Sequence, residues 1–216
     1  AALLFGVTGS GKTSIYINLI KDVIKNGRTA IVLVPEISLT PQFVSIFSAH
    51  FGDNIAVLHS SLGIGQRYDE WKRIKSGQVK VVIGTRSAVF APVENLGLII
   101  IDEEQEHTYK SESAPRYHAR DIAKYRCVQS NAFLLLGSAT PSVESMYSAR
   151  NGKYTLYTLK SRYNKRDLPE VIIADMKKEL KRGNGTYISS ALMKELRKNI
   201  DRGEQSILFI NRRGAS

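Results

Sequence analysis

Along this chain, short and strongly apolar runs alternate with longer segments in which apolar residues return every third or fourth position. The runs cover residues 3–5, 29–34, 55–59, 79–84, 98–101, 132–136 and 153–159; the longer segments cover 14–25, 41–51, 65–76, 115–129 and 142–149. The first kind predicts strands covered on both faces, and the second predicts amphipathic helices. Their alternation predicts an α/β domain: a parallel sheet with helices on both faces. Residues 98–101 (Leu-Ile-Ile-Ile) form the most apolar run and are expected at the centre of the sheet. Thr40 is placed to cap the second helix, with Pro41 in its first turn, and Gly27 and Gly77 follow helices where a left-handed residue is favoured. Tyr68, Trp71 and Ile74 are spaced to share one buried face, and Pro115 is expected to open the fourth helix.

From residue 160 the pattern weakens. Residues 160–169 read as a basic linker ending at Pro169, followed by a strand at 171–174, a basic glycine-containing loop at 177–185, a helix at 189–201 and a strand at 206–210. Two strands and one helix cannot bury a core alone. The expected organisation is therefore a complete domain over 1–159, a linker over 160–169 and an incomplete second unit over 170–216. The absence of an initiating methionine and the stop shortly after Arg213-Gly214 read as a piece of a longer protein.

Composition narrows the setting. Of 216 residues, 43% are hydrophobic and 24% charged, which supplies a core and excludes wholesale disorder. No apolar run is long enough to span a bilayer and no secretory signal opens the chain, so no membrane partner is expected. The single Cys127 suits a reducing cytosol, and a cytoplasmic location is expected. His50, His59, His107 and His118 lack metal-ligand spacing, so no zinc is expected within these residues. The 31 Lys and Arg against 20 Asp and Glu give a net charge of +11, which favours a polyanion through counterion release.

The chemistry begins at Gly6-Val7-Thr8-Gly9-Ser10-Gly11-Lys12-Thr13, between the first strand and the first helix. It fills every fixed position of G-x-x-x-x-G-K-[ST]. Glycines let backbone N–H groups approach phosphate oxygens at a helix N-terminus, Lys12 would meet the β- and γ-phosphates, and the Thr13 hydroxyl would coordinate Mg²⁺. A glycine-rich turn with a solvated lysine is the bland alternative, and the strand and helix around the loop argue against it. The central run delivers Asp102-Glu103-Glu104-Gln105 at its carboxyl end, where open α/β sheets bind ligands. Asp102 would hold the Mg²⁺ shell and Glu103 would act as general base on the attacking water. Asn164-Lys165-Arg166-Asp167 matches the guanine-reading N-K-x-D pattern, but a basic stretch precedes it rather than a strand, and the acidic strand end lacks the glycine of D-x-x-G. ATP is therefore the expected nucleotide. A small-molecule kinase would require neither the acidic quartet nor Ser138-Ala139-Thr140.

In this order, Gly6 to Thr13, Asp102 to Gln105 and Ser138 to Thr140 resemble motifs I, II and III of superfamily-two helicases. The segments 34–42, 58–60, 83–92, 115–121, 137–142 and 211–214 extend the resemblance to the primosomal replication-restart helicase family over nearly the whole chain. The resemblance implies a RecA-like P-loop NTPase lobe plus the truncated start of a second RecA-like lobe. It also implies an ATP- and Mg²⁺-dependent 3′-to-5′ DNA helicase that works on single-stranded or forked DNA with other primosome proteins. By position, Glu36, Thr40, Gln42, Thr85, Arg86 and Ser87 would line the DNA path, and Ser138, Ala139 and Thr140 would couple nucleotide state to DNA grip. Asn211 to Arg213 would be a fourth motif. The family reads Asp-Glu-Glu-His at the strand end, whereas Gln105 can hydrogen-bond but cannot titrate. An arginine finger and a zinc-binding cysteine insertion are expected only in a continuation beyond these residues, so this piece alone should bind adenine nucleotide weakly and unwind nothing.

Tyr109 and Lys110 lie where related helicases carry an aromatic-rich loop, and they are expected to stack on bases and answer phosphates. Arg116, Arg120 and Lys124 fall at i, i+4 and i+8 and read as one solvated basic stripe. Two other readings remain open at this point: a nucleotide-gated DNA-binding module without turnover, and another superfamily-two translocase.

Overall fold

The computed structural model describes residues 1–162 and 169–209, and the chain divides into two compact units, Ala1–Asp167 and Leu168–Ser216. In the first unit, β1 (Ala2–Gly6), α1 (Lys12–Lys25), β2 (Thr29–Leu33), α2 (Pro41–Phe51), β3 (Ile55–Leu58) and α3 (Ile64–Lys75) are followed by β4 (Val81–Gly84) and β5 (Leu96–Ile101). Then come α4 (Ala119–Gln129), β6 (Phe133–Ser138), α5 (Val143–Arg150) and β7 (Thr155–Leu159). The seven strands pair in the order β3-β4-β2-β5-β6-β1-β7, and every pairing is parallel. β5 is thus the middle strand, as its unbroken apolar run predicts.

Successive side chains on a strand face opposite ways, and each face of this sheet has its own helices. Tyr16, Ile17 and Ile20 of α1, with Phe47 and Phe51 of α2, pack with Ala30, Val32, Leu98 and Ile100. On the other face, Ile74 of α3, Ala119, Ala123 and Cys127 of α4 and Ala149 of α5 pack with Ile31, Leu33, Ile99 and Ile101. Burial pushes the Cys127 thiol up to about 11, so it behaves as a core side chain rather than a reactive thiolate. Thr40 caps α2, its hydroxyl accepting from the Phe43 N–H at 3.2 Å.

Several expectations need correction. Of the three residues expected on the buried face of α3, only Ile74 is buried; Tyr68 and Trp71 are exposed, and the Lys72 ammonium lies 4.5 Å from the centre of the Tyr68 ring. Pro115 does not open α4. An antiparallel bridge between Lys110 and His118 keeps the intervening segment out of the helix, which starts at Ala119 with the His118 ring nitrogen accepting from Arg120 N–H. The basic stripe is broken for the same reason: Arg116 lies before the helix, and Arg120 is drawn inward.

In the second unit, the basic loop expected from residue 177 instead holds a helix, α6 (Met176–Lys181), capped by Asp175, whose carboxylate accepts from the N–H groups of Lys177 and Lys178. The helix expected next is α7 (Ser190–Asp201). Residues 171–174 and the described part of 206–210 are not strands, and no strand occurs among the described residues of this unit. An apolar run becomes a strand only when another strand satisfies its backbone, and here Ile173 and Ile207 stand exposed instead. Glu179 ties the two helices, accepting from Asn184 and from both the N–H and hydroxyl of Ser190, which holds its carboxyl down at about 2. Asn164 to Asp167 and Asn211 to Arg213 lie outside the described residues.

Candidate functional site

Because all strands run the same way, the loops after β1, β2, β3, β4 and β5 emerge at one edge of the sheet. β5 divides that edge. On one side, across β6, lies the loop after β1; on the other, across β2, lie the loops after β4 and β3.

The first half-site is the glycine loop. Gly9 and Gly11 hold φ of 78° and 89°, in the left-handed region where a side chain would be strained. Ser10 N–H turns back to Val7 O at 3.0 Å, and the Lys12 ammonium donates to Gly6 O at 2.8 Å, drawing the loop into a ring around its own lysine. Gly6 has no room for a side chain, since a Cβ there would stand 2.6 Å from the Ser10 hydroxyl oxygen. That hydroxyl is buried without a hydrogen-bond partner among the described residues. A buried donor left unpaired is costly, and one beside a lysine in a loop of left-handed glycines suits an anion rich in acceptors.

Opposite stands the acidic end of β5. Asp102 N–H donates to Leu33 O at 2.9 Å, and the Tyr16 hydroxyl on α1 donates to Asp102 Oδ1 at 2.8 Å. Burial raises the Asp102 carboxyl above its usual range, opposed by the Tyr16 hydrogen bond and, more weakly, by the Lys12 charge. Burial, reinforced by the Asp102 charge, raises the Tyr16 hydroxyl well above the usual phenol value, so it remains a donor. Lys12 and Asp102 are therefore brought to one place by α1 and β5. Glu103 sits at a φ of 46°, rare for a residue with a side chain. Its carboxylate accepts from the Gln105 amide at 2.9 Å, Gln105 Oε1 accepts from the Ser138 hydroxyl at 2.5 Å, and Ser138 Oγ accepts from Thr140 N–H at 2.8 Å. The acidic quartet and the Ser138 to Thr140 loop are thus joined by one hydrogen-bonded chain running through Gln105.

Sequence reasoning passed over Glu104. Its buried carboxylate accepts from Ser142 N–H at 2.7 Å, from the hydroxyls of Ser142 at 3.1 Å and Ser145 at 2.8 Å, and from Arg120 at 3.0 Å. Tyr16 and Gly137 were passed over as sites as well. A Cβ on Gly137 would run into the Tyr16 hydroxyl, so the glycine is what allows that hydroxyl to reach Asp102.

The second half-site is a groove of about 450 Å³ whose lining includes Glu36, Ser60, Thr85, Arg86, Ser87 and Lys110. Four of the residues expected along the DNA path, Glu36, Thr85, Arg86 and Ser87, therefore meet there. Thr40 and Gln42 do not line it, Thr40 being committed as the cap of α2. Arg86 donates to the carbonyls of Thr108 and Lys110 at 3.1 and 2.8 Å, pinning the segment after β5 along the groove wall. Tyr109 corrects an expectation. Its ring is 1% exposed and cannot receive a stacked base; its hydroxyl donates to Leu33 O at 3.1 Å and Asp102 O at 2.6 Å, tying the ends of β2 and β5.

A parallel sheet with a glycine loop after one strand and a carboxylate pair ending another, two places away, defines a RecA-like P-loop domain. The family model described as "DEAD/DEAH box helicase" matches residues 2–148, and the chain belongs to that family. Within it, the chain is similar to the curated replication restart protein PriA. It is 53% identical to that of Bacillus subtilis strain 168 over 99% of this chain and 27% of the relative, and 47% identical to that of Synechocystis sp. over 99% and 26%. The chain thus spans about a quarter of the length of these relatives. Among solved structures, it resembles RecG bound to a three-way DNA junction, with a TM-score of 0.63, 24% identity, and coverage of 94% of this chain and 25% of that one. It also resembles a DEAD box protein from Methanococcus jannaschii, with a TM-score of 0.54, 21% identity, and coverage of 93% and 59%. These structural likenesses bear on fold alone. Among the described residues, no helix is long and apolar enough to cross a membrane, and no three acidic, histidine or cysteine side chains cluster as a metal site.

Proposed function

We propose that this chain is the ATP-binding lobe, with the beginning of a second such lobe over residues 170–216, of a replication-restart DNA helicase that moves 3′ to 5′ along single-stranded DNA at stalled forks. One observation carries the reading. Lys12 of the glycine loop lies near enough for its charge to act on the Asp102 carboxyl at the end of the central strand, and Tyr16, a single helical turn beyond Lys12, hydrogen-bonds that carboxyl.

In this reading the amides of residues 7–13 and the Lys12 ammonium receive the β- and γ-phosphates of ATP. Thr13 and Asp102 would hold Mg²⁺, which keeps most of its shell as water and phosphate oxygen, so a three-carboxylate cluster is not required. The ion supplies charge neutralisation on the phosphate oxygens. Glu103 takes a proton from the water that attacks the γ-phosphorus, and the bond to the β-γ bridging oxygen breaks to leave ADP. Gln105 holds Glu103 and reports its position through Ser138 to Thr140. Arg86, Thr85, Ser87 and Lys110 meet the phosphates of a strand in the groove, which supplies affinity without sequence preference. Zinc, an arginine finger and contacts to other primosome proteins would lie outside these residues.

The test is ATP turnover by the intact protein with and without single-stranded DNA, beside Lys12→Ala. The wild type should show DNA-stimulated turnover and strand separation on a forked substrate, and Lys12→Ala neither. Turnover indifferent to DNA, or unaltered by loss of the lysine, is the result that removes this reading. A second measurement addresses the groove: Arg86→Ala should weaken single-strand binding by about tenfold, alike for every sequence, and flatten its salt dependence by about one counterion. A loss confined to particular sequences would argue against phosphate contact.

A further inference from the structure

We propose that Tyr16 is a positioning residue for Asp102, fixing the direction in which that carboxylate meets the metal of a bound nucleotide. The inference rests on the nucleotide-site reading above and concerns a residue outside both sequence motifs. Tyr16 sits on α1, four residues after Lys12, so the two side chains leave the helix one above the other on the same face. One rigid element thus carries the cation that meets the phosphates and the hydroxyl that holds the carboxylate. The ring is fully buried in the core between α1 and the sheet, and its hydroxyl donates to Asp102 Oδ1 at 2.8 Å.

The surroundings are built for that contact. Gly137, on the strand between β1 and β5, leaves the space the hydroxyl occupies; its absent Cβ would also stand 3.3 Å from Asp102 Oδ1. The backbone of Asp102 is held separately, its N–H by Leu33 O and its carbonyl by the Tyr109 hydroxyl at 2.6 Å. With the main chain fixed, rotation of the side chain is the freedom that remains, and the Tyr16 hydrogen bond removes it by committing one oxygen. Partners that orient a metal ligand in this way typically contribute roughly 10- to 100-fold in metal affinity.

The experiment uses the intact protein and a fluorescent ADP analogue, titrated in EDTA and then against Mg²⁺. Tyr16→Phe keeps the ring in its core site and removes only the hydroxyl. The expected result is unchanged nucleotide affinity in EDTA, a Mg²⁺ requirement raised by about tenfold, and turnover that recovers when Mg²⁺ is added in excess. Gly137→Ala should reproduce the shift, because its Cβ displaces the hydroxyl without altering either polar group. Adding it to Tyr16→Phe should move the Mg²⁺ requirement little further. A Mg²⁺ requirement equal to wild type in Tyr16→Phe overturns the inference, as does a loss of nucleotide affinity that persists in EDTA. If the wild type binds no nucleotide at all, the nucleotide-site reading falls, and this inference with it.

Discussion

Glu103→Gln is expected to slow DNA-stimulated ATP turnover by about 10²- to 10⁴-fold while leaving nucleotide binding intact. The substitution keeps the size of the side chain and its hydrogen-bonding reach, so Gln105 can still donate to the oxygen it now contacts at 2.9 Å. What disappears is the ability to accept a proton from water. A deficit of this kind falls on kcat, because the loop proposed to receive the phosphates is untouched. Single-turnover measurement with the intact protein separates the two steps. If the variant turns over ATP within a few-fold of wild type, Glu103 is not the base. If it loses binding, Glu103 supports the loop rather than the chemistry. A nucleotide-gated binder without turnover would show no difference from wild type under any condition.

The second large effect falls on stability. Glu104→Ala would remove the acceptor for four donors at once and leave the Arg120 guanidinium, 17% exposed, without its carboxylate. Breaking one partner of a buried ion pair typically costs about 3–5 kcal/mol, because the remaining charge stays desolvated. For a unit of this size each kcal/mol lowers the melting temperature by roughly 2–4 °C, so a drop on the order of 10 °C is expected. The transition to follow in the intact protein is the one that added nucleotide raises. Glu104→Gln should lose less, since an amide oxygen can still accept from Ser142 and Ser145. A melt unchanged in Glu104→Ala would mean that water replaces the carboxylate.

Much of the sheet was legible because a strand covered on both faces has little choice of residue: Leu98 to Ile101 could hardly lie anywhere but the middle. The glycine loop and the acidic quartet were legible because phosphate chemistry constrains residue type at fixed spacing. Tyr16, Glu104 and Arg120 were not, since each matters through a partner distant in the chain: 86 residues for Tyr16 and Asp102, 16 for Glu104 and Arg120. No periodicity records such a meeting. Tyr109 misled for a related reason. An aromatic after a catalytic strand can serve a ligand or the core, and only burial distinguishes the two. Tyr68 and Trp71 misled in the opposite direction, because helical spacing marks residues that share a face without saying whether anything covers it. The apolar runs at 171–173 and 207–209 have strand composition, but pairing is a property of two segments, and no strand among the described residues of their unit offers them a partner.

Asp102 is gripped twice, at its side chain from the glycine-loop half of the edge and at its carbonyl from the groove half. A strand of nucleic acid that shifts the Tyr109 segment would therefore press on the same residue that is proposed to meet the nucleotide's metal. Thermodynamic linkage makes such an influence reciprocal: by whatever factor occupancy of the groove tightens the hold on the triphosphate, the triphosphate must tighten the hold on the groove's occupant. Exchange of triphosphate for diphosphate would then alter grip on the track, with Asp102 as the common fulcrum.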